Sequence, residues 1–334
     1  MKTTLPLTPI ERKVIILGNL NIDLIIRGIA TMPRWGQEII GSSYSLVSSG
    51  QSTYTAMALA RFNVPVGIIG NVGDDLYGEK IIHDLDQAGI NVTDIEKTVN
   101  GSTGISVAIV RPDGERAFVS DPSCLSAFDK QYIARHTAGS DDATIACLVG
   151  LFFLPGLTVD DAGTILKDLQ EQGKTTLLDT GWDPHNWQKD TVKTLRNNLK
   201  HVTIFMPNMD EARAITGRED PEKAAEDIMN DGVEIVVIKM GEDGCLALSQ
   251  EGMDRLPSRA TKVRDAVGAG DVFNAGFIYG TLQAWPIEAR LVIGTITSSL
   301  YISRLSGRFP TLGEIQTVAS TWSGNRFSFK NKEI

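Results

Sequence analysis

The stretch Asp265-Ala266-Val267-Gly268-Ala269-Gly270-Asp271, running into Val272-Phe273-Asn274-Ala275-Gly276-Phe277, decides how the rest of the chain is read. A Gly-Ala-Gly turn at the head of a helix leaves backbone N–H groups unobstructed at the positive end of the helix dipole. That arrangement binds an anion. Asp271 then puts a carboxylate where negative charge is least welcome, which makes it a candidate general base beside an anion hole. Phosphoryl transfer to a hydroxyl needs both parts: donors for the charge on the moving group and a base for the attacking O–H. A glycine turn capped by an aspartate would use the same residues, so the rest of the chain has to separate the two readings.

Length and composition set the bounds. The 334 residues suffice for one large domain with an elaboration, and 42% hydrophobic with 22% charged residues is ordinary for a globular protein. A net charge of −9 argues against a nucleic-acid backbone or an anionic membrane as partner, while a local nest of N–H groups can still bind a small anion. Cys124, Cys147 and Cys245 lie far apart, as do the four histidines, so neither a disulfide framework nor a histidine-based metal site is expected. The N-terminal region lacks the pattern of a signal peptide, and the apolar stretch 143–157 is too short to span a bilayer; the expectation is a cytoplasmic protein.

Short apolar runs alternate with helical patterns, the signature of an α/β fold around a mostly parallel sheet flanked by helices. Core strands are expected at 14–17, 66–70, 144–149, 175–178, 202–206 and 235–238. Helices are expected at 56–62, 78–88, 159–172, 191–198, 210–216, 221–231, 272–283 and 286–304. Residues 24–47 and 102–120 lack helical periodicity, and 105–110, the turn Pro112-Asp113-Gly114 and 116–119 read as a β-hairpin. These two regions are expected to pair as a small sheet standing off a single domain that spans 1–334.

Other segments offer chemistry, each with a plainer alternative. Gly18-Asn19-Leu20-Asn21-Ile22-Asp23 lacks the Gly-x-Gly-x-x-Gly of a dinucleotide site and offers amides and a carboxylate suited to a polyol, or an Asx-turn. Asn208-Met209-Asp210-Glu211 is a capping box, or a pair holding the waters of a magnesium ion on a triphosphate. Lys239-Met240-Gly241-Glu242-Asp243-Gly244 follows a buried strand and lets backbone approach a flat ligand, or makes a hairpin turn. Ser49-Gly50-Gln51-Ser52 offers further polar backbone at a helix start.

Taken together these pieces resemble the ribokinase-like family of carbohydrate kinases, also called the phosphofructokinase B family, from Val14 to about Pro310. The Asp265 to Asp271 segment resembles the family's C-terminal signature, and Gly70-Asn71-Val72-Gly73-Asp74-Asp75-Leu76-Tyr77-Gly78 and Asp113-Gly114-Glu115-Arg116 are similar to other landmarks. The resemblance implies Asp271 as catalytic base and Gly268, Ala269 and Gly270 as the anion hole. It implies that Asn208 and Glu211 serve an Mg²⁺–phosphate site, Lys239, Gly241 and Gly244 the nucleotide ATP, and Asn21, Asp23 and Gly50 a sugar. It further implies a lid made of 24–47 and 102–120 that covers the substrate and joins a homodimer, and a K⁺ or similar ion near Asp265. Ser49-Gly50 and Tyr54 stand where the family usually has Gly-Gly and Asn, and Ala266 replaces a common Thr or Ser.

The expected activity is ATP-dependent phosphorylation of a hydroxyl, primary by preference, on a sugar. Tyr54 and the end of the strand at 151–153 are expected to make the acceptor pocket less polar than a ribose site. One rival is a nucleoside kinase, with Tyr54, Trp35 or Phe153 stacking on a base; another is a sugar or nucleotide sensor without turnover.

Overall fold

The computed structural model describes residues 2–11, 13–113, 115–137, 142–259, 262–304, 308–322 and 326–331. Gly114 of the expected hairpin turn lies outside them. In chain order, β1 (Thr3–Leu7), β2 (Lys13–Gly18), β3 (Asn21–Arg27) and β4 (Ser43–Ser49) precede α1 (Gln51–Ala60), β5 (Val66–Gly73), α2 (Leu76–Gln87) and β6 (Ile95–Thr98). The pair β7 (Gly104–Val110) and β8 (Arg116–Asp121) leads through α3 (Lys130–Thr137) to β9 (Ala143–Val149). Then come α4 (Val159–Glu171), β10 (Thr175–Asp179), α5 (Lys189–Asn198), β11 (Ile204–Phe205), α6 (Met209–Thr216), α7 (Pro221–Asn230) and β12 (Ile235–Lys239). The described chain continues with β13 (Cys245–Ser249), β14 (Gly252–Leu256), α8 (Ala269–Leu282), α9 (Ile287–Ile302), α10 (Leu312–Thr321) and β15 (Phe327–Asn331).

Nine strands form the main sheet in the order β14-β13-β12-β11-β10-β9-β2-β5-β6, parallel from β12 to β6 and closed at one edge by antiparallel β13 and β14. The apolar run of β2 explains its central place. Val14 and Ile16 enter the core on one face of the sheet, and Ile15 and Leu17 enter the core on the other. A strand with helices on both sides needs no polar face. Helices α8 and α9 are apolar almost all round and correspondingly buried. They approach closely where a Cβ on Gly276 would stand 2.7 Å from the Gly294 Cα. This packing fixes the N-terminus of α8 beside the C-terminal ends of the parallel strands.

A separate four-stranded sheet, β4-β3-β7-β8, is built from the segments that lacked helical periodicity. Its register puts Asp23, Ile25 and Arg27 on the same face as Ala108 and Phe118, turned toward the main body. The opposite face carries Leu24, Ile26, Tyr44, Leu46 and Val119. Of these, Tyr44, Leu46 and Val119 are exposed.

Several elements differ from the sequence expectation. Helix α1 starts at Gln51, ahead of 56, because Ser52, Thr53 and Thr55 are buried against neighbouring backbone; the Thr53 Oγ1 donates to Ser49 O at 2.7 Å. The strand expected over 202–206 is only Ile204–Phe205, since Thr203 bonds to Thr176 through both side chain and backbone. The pairing of β1 with β15 joins distant parts of the chain, which local patterns do not report.

Asp75, one of the landmark residues, is a clamp. It accepts from Tyr77 N and Gly78 N at the start of α2, and from Thr103 N and Oγ1 at 2.7 Å, which ties the entry of β7 to that helix. Replacing it with alanine strands those donors. Asp75→Ala is expected to lower unfolding stability by about 2–3 kcal/mol, read from the urea midpoint at unchanged slope.

Candidate active site

The C-terminal ends of β10 and β12, the turn after β12, and the N-termini of α1, α6 and α8 converge on a cavity of about 900 Å³. Its wall includes Gln51, Asp179, Asn208, Glu211, Lys239, Gly241, Gly244, the segment Gly268 to Asp271, and, from the small sheet, Arg116 and Phe118.

Asp271 is the third residue of α8, and its Oδ1 accepts from Gln51 Nε2 at 3.1 Å. Burial, then the negative charge of Asp179, pushes its carboxyl up to about 7 against the pull of Lys239 and of the Gln51 hydrogen bond. Gly268 caps the helix at φ 78, and any Cβ there would lie 2.8 Å from the Tyr54 ring. The Ala269 amide donates to Ala266 O at 3.2 Å, so of the expected Gly268, Ala269 and Gly270 donors the middle one is engaged by its own turn. The amides of Gly270 and Asp271, in the first helical turn, precede any intrahelical acceptor.

Lys239 is the electrostatic centre. Its Nζ lies 2.5 Å from Asp179 Oδ2 and 3.3 Å from Asn274 Oδ1, and Asn274 Nδ2 donates to the same Asp179 oxygen at 2.6 Å. Burial opposes charge on both members of the pair. The attraction between them outweighs it, so Asp179 lies below the usual carboxylate range and Lys239 above the usual ammonium range. Glu211, next to this pair, is pushed up to about 7 by burial and the Asp179 charge. Three carboxylates thus share one buried ammonium.

Asn208 and Glu211 form the capping box: Glu211 N donates to Asn208 Oδ1 at 2.9 Å and Asn208 N to Glu211 Oε2 at 2.8 Å. Both also face the cavity, so capping and ligand contact are compatible here. A carboxylate and an amide on a cavity wall beside an ammonium suit a hydrated magnesium ion carried on phosphate. Gly241 and Gly244 take φ 58 and φ 90, and a Cβ on Gly244 would collide with Leu256 O, so the turn needs glycine whatever it binds.

The expected sugar contacts form a neighbouring, fully buried cluster that is absent from the cavity wall. Asn21 and Asp23 belong to β3 of the small sheet, not to the end of the central strand. They are linked Asn19 Nδ2→Asn21 Oδ1 and Asn21 Nδ2→Asp23 Oδ1, both 2.9 Å. Burial raises Asp23 to about 6. Gly50, φ 102, caps α1 against Asn19 O. Tyr54, expected to line the acceptor pocket, instead packs against Tyr301, Phe309 and Gly268, with its hydroxyl 3.5 Å from Asp23 Oδ2. Aromatic residues that do line the cavity are Phe118, Phe273 and Trp182, the last 52% exposed and edge-on to Trp187.

Asp265 lies at the entry to the α8 turn. Its Oδ1 accepts from Val267 N at 3.0 Å and its Oδ2 from Arg27 Nη2 at 2.6 Å.

A family model described as pfkB family carbohydrate kinase matches residues 11–312. The chain belongs to that family. An uncharacterized sugar kinase of Archaeoglobus fulgidus is 29% identical over 252 residues, covering 75% of this chain and 97% of that protein. A 5-dehydro-2-deoxygluconokinase of Clostridium perfringens is 26% identical over 264 residues, covering 76% and 78%. Among solved structures, the Arabidopsis thaliana ribokinase complexed with ribose and ATP superposes with TM-score 0.75 at 21% identity, covering 93% of this chain and 99% of that one. The pfkB fold therefore accounts for the main sheet and the separate small one.

Gln51, Asp179, Asn274, Trp182, Arg116 and Phe118 escaped the sequence reading as site residues. Asn274 had a usable signal, three residues beyond Asp271 on the same helix face. Asp179 closes a core strand, the place where α/β folds gather ligand groups.

The raised Asp271 carboxyl carries a consequence for stability. Its folded pKa lies above the unfolded value of 3.8, so its favourable contribution is complete below that value and is lost as pH rises through about 7. Relative to wild type, the Tm of Asp271→Asn should therefore rise progressively from pH 4 to pH 7 and stay a few degrees higher at pH 8, as differential scanning calorimetry would register. A variant less stable than wild type at pH 8 would mean that burial does not strain the ionised carboxylate.

Proposed function

We propose that this pfkB kinase transfers the terminal phosphoryl group of ATP to a hydroxyl, preferably primary, of a sugar or sugar-like acceptor, with Asp271 as general base. The observation that supports this reading most is the Gln51-held Asp271 carboxylate at the head of α8, opening on the same cavity as Lys239, Asn208 and Glu211. A carboxylate poised near neutrality is ionised enough to accept the acceptor's proton and basic enough to hold it. The Gly270 and Asp271 amides and the dipole of α8 face the charge that grows on the moving group. Lys239 supplies a fixed positive charge to the phosphates. Mg²⁺ arriving with the triphosphate supplies further charge neutralisation, with Asn208 and Glu211 as the residues that would hold its waters.

The turn at Gly241 and Gly244 offers backbone to the nucleotide. The four-stranded sheet acts as lid in this reading: Arg116 and Phe118 reach the cavity from it, and closure excludes the water that would otherwise take the phosphoryl group. Its outer apolar face suits a second copy of the chain, giving a homodimer through the lid.

A nucleoside acceptor is the second reading, and Trp182 favours it as an exposed ring on the cavity wall able to stack on a base. The earlier stacking candidates fit less well, because Tyr54 is buried, Phe153 is partly buried against the core and off the cavity wall, and Trp35 is 104% exposed at a loop.

An ATP-coupled assay against ribose, fructose, 2-keto-3-deoxygluconate, adenosine and inosine separates the readings. Turnover with none of them, despite binding of sugar and ATP, would favour a sensor. With the preferred acceptor, Asp271→Asn should lower kcat by about 10²–10⁴ while retaining the fold and ATP binding. A residual rate should survive from the amides and Lys239. A folded variant working at the wild-type rate would remove Asp271 from the mechanism.

A further inference from the structure

Asp265 was expected to hold a monovalent cation. The residues around it do not fit that ion, and the misfit is informative. We propose that the guanidinium of Arg27, delivered by the small sheet, stands in for a monovalent cation at Asp265, so that the kinase is organised by its own side chain and does not depend on K⁺. The proposal rests on the kinase reading above.

The sequence puts Arg27 there by simple alternation. In β3, Asn21, Asp23, Ile25 and Arg27 share the inward face, and Arg27 is the last of them. Its two terminal nitrogens are divided: Nη1 donates to Ser45 Oγ on β4 at 2.8 Å, and Nη2 to Asp265 Oδ2 at 2.6 Å. Asp265 is buried and Arg27 partly so, with side-chain exposures of 2% and 16%. Guanidinium stays charged at any working pH and holds a planar fork, which makes it a permanent cation of fixed direction.

Both Asp265 oxygens are engaged, one by Arg27 and the other by the Val267 amide. The Arg264 and Asp265 amides are in turn anchored to Ile302 O at the end of α9, at 2.8 and 3.3 Å. A second positive ion at this carboxylate would meet the guanidinium in a setting where solvent screens little. It would also have to displace a charge-assisted hydrogen bond. The Asp265 turn leads directly into Gly268, Ala269 and Gly270. Arg27 is thus a positioning residue: it holds the loop from which the α8 amides start, and it ties that loop to the small sheet.

The test compares KCl, NaCl and choline chloride at equal ionic strength for wild type, Arg27→Gln and Arg27→Lys. Two readings are taken, the Tm of the protein without substrates and kcat/KM with the preferred acceptor. Wild type should give the same Tm and the same kcat/KM in all three salts. Arg27→Gln should fall at least about tenfold in kcat/KM in choline chloride and recover in part in KCl, as expected when a catalytic loop loses its anchor. Its Tm should rise selectively with K⁺, because an ion that binds only the folded state stabilises it. Should Arg27→Gln not fold, Arg27→Lys answers in its place. It keeps the charge without the fork, so its kcat/KM should drop and remain insensitive to the salt.

A wild-type Tm or rate that climbs severalfold or by several degrees with K⁺ would overturn the proposal. So would folded Arg27 variants with wild-type rates in choline chloride. Failure of the kinase reading looks different: an ATP analogue with Mg²⁺ would leave the Tm unmoved in every salt, while the Tm comparison across salts would still report on Asp265.

Discussion

One buried ammonium organises the centre of this molecule. Lys239 ends β12 with its charge surrounded by Asp179, Glu211 and Asp271, all drawn from the C-terminal edge of the sheet or the helix starts beside it. Without that positive charge the three carboxylates could not be buried together, since each would bear a desolvation cost of several kcal/mol unpaired. With it they are unequal. Asp179 takes the direct contact and remains ionised, while Glu211 and Asp271 are pushed toward neutrality. A single ion pair thus converts one of two similar aspartates into a base that can exchange a proton near neutral pH.

The scaffold holds these groups by apolar means. Alternating residues of β2 enter separate cores on the two faces of the sheet, and α8 is pinned against α9 at a glycine-to-glycine approach. Polar tuning is left to the helix starts. Gln51 opens α1, Asn208 caps α6 and Gly268 caps α8, so three helix N-termini face one cavity. The positive ends of three dipoles favour a polyanion there, which offsets the acidity of the chain as a whole.

Local motifs were legible, and contacts between distant segments were not. The segment from Asp265 to Asp271 and the capping box at Asn208 are continuous in sequence, so their spacing reports their geometry. Segment 24–47 and its partner 102–120 announced a separate sheet by losing the helical period. Gln51 and Asp271 are 220 residues apart, and Asn274 and Asp179 are 95 apart; no local pattern records such meetings. The surroundings of Tyr54 are likewise made by distant segments. It was expected to make the acceptor pocket less polar, and its ring is buried where the missing Cβ of Gly268 leaves room for it. Arg27 reads as an ordinary polar strand end until the fold carries it to Asp265, 238 residues away.

The claim at the centre of this account is that the buried field at Asp271 sets a base near neutrality. The pH dependence of kcat/KM for the wild-type enzyme with its preferred acceptor tests it most directly. The rate should climb with pH along a limb whose apparent pKa lies near 7, because only the ionised carboxylate can take the acceptor's proton. A limb near 4, where an ordinary aspartate titrates, or a rate unchanged from pH 5 to pH 8, would contradict it.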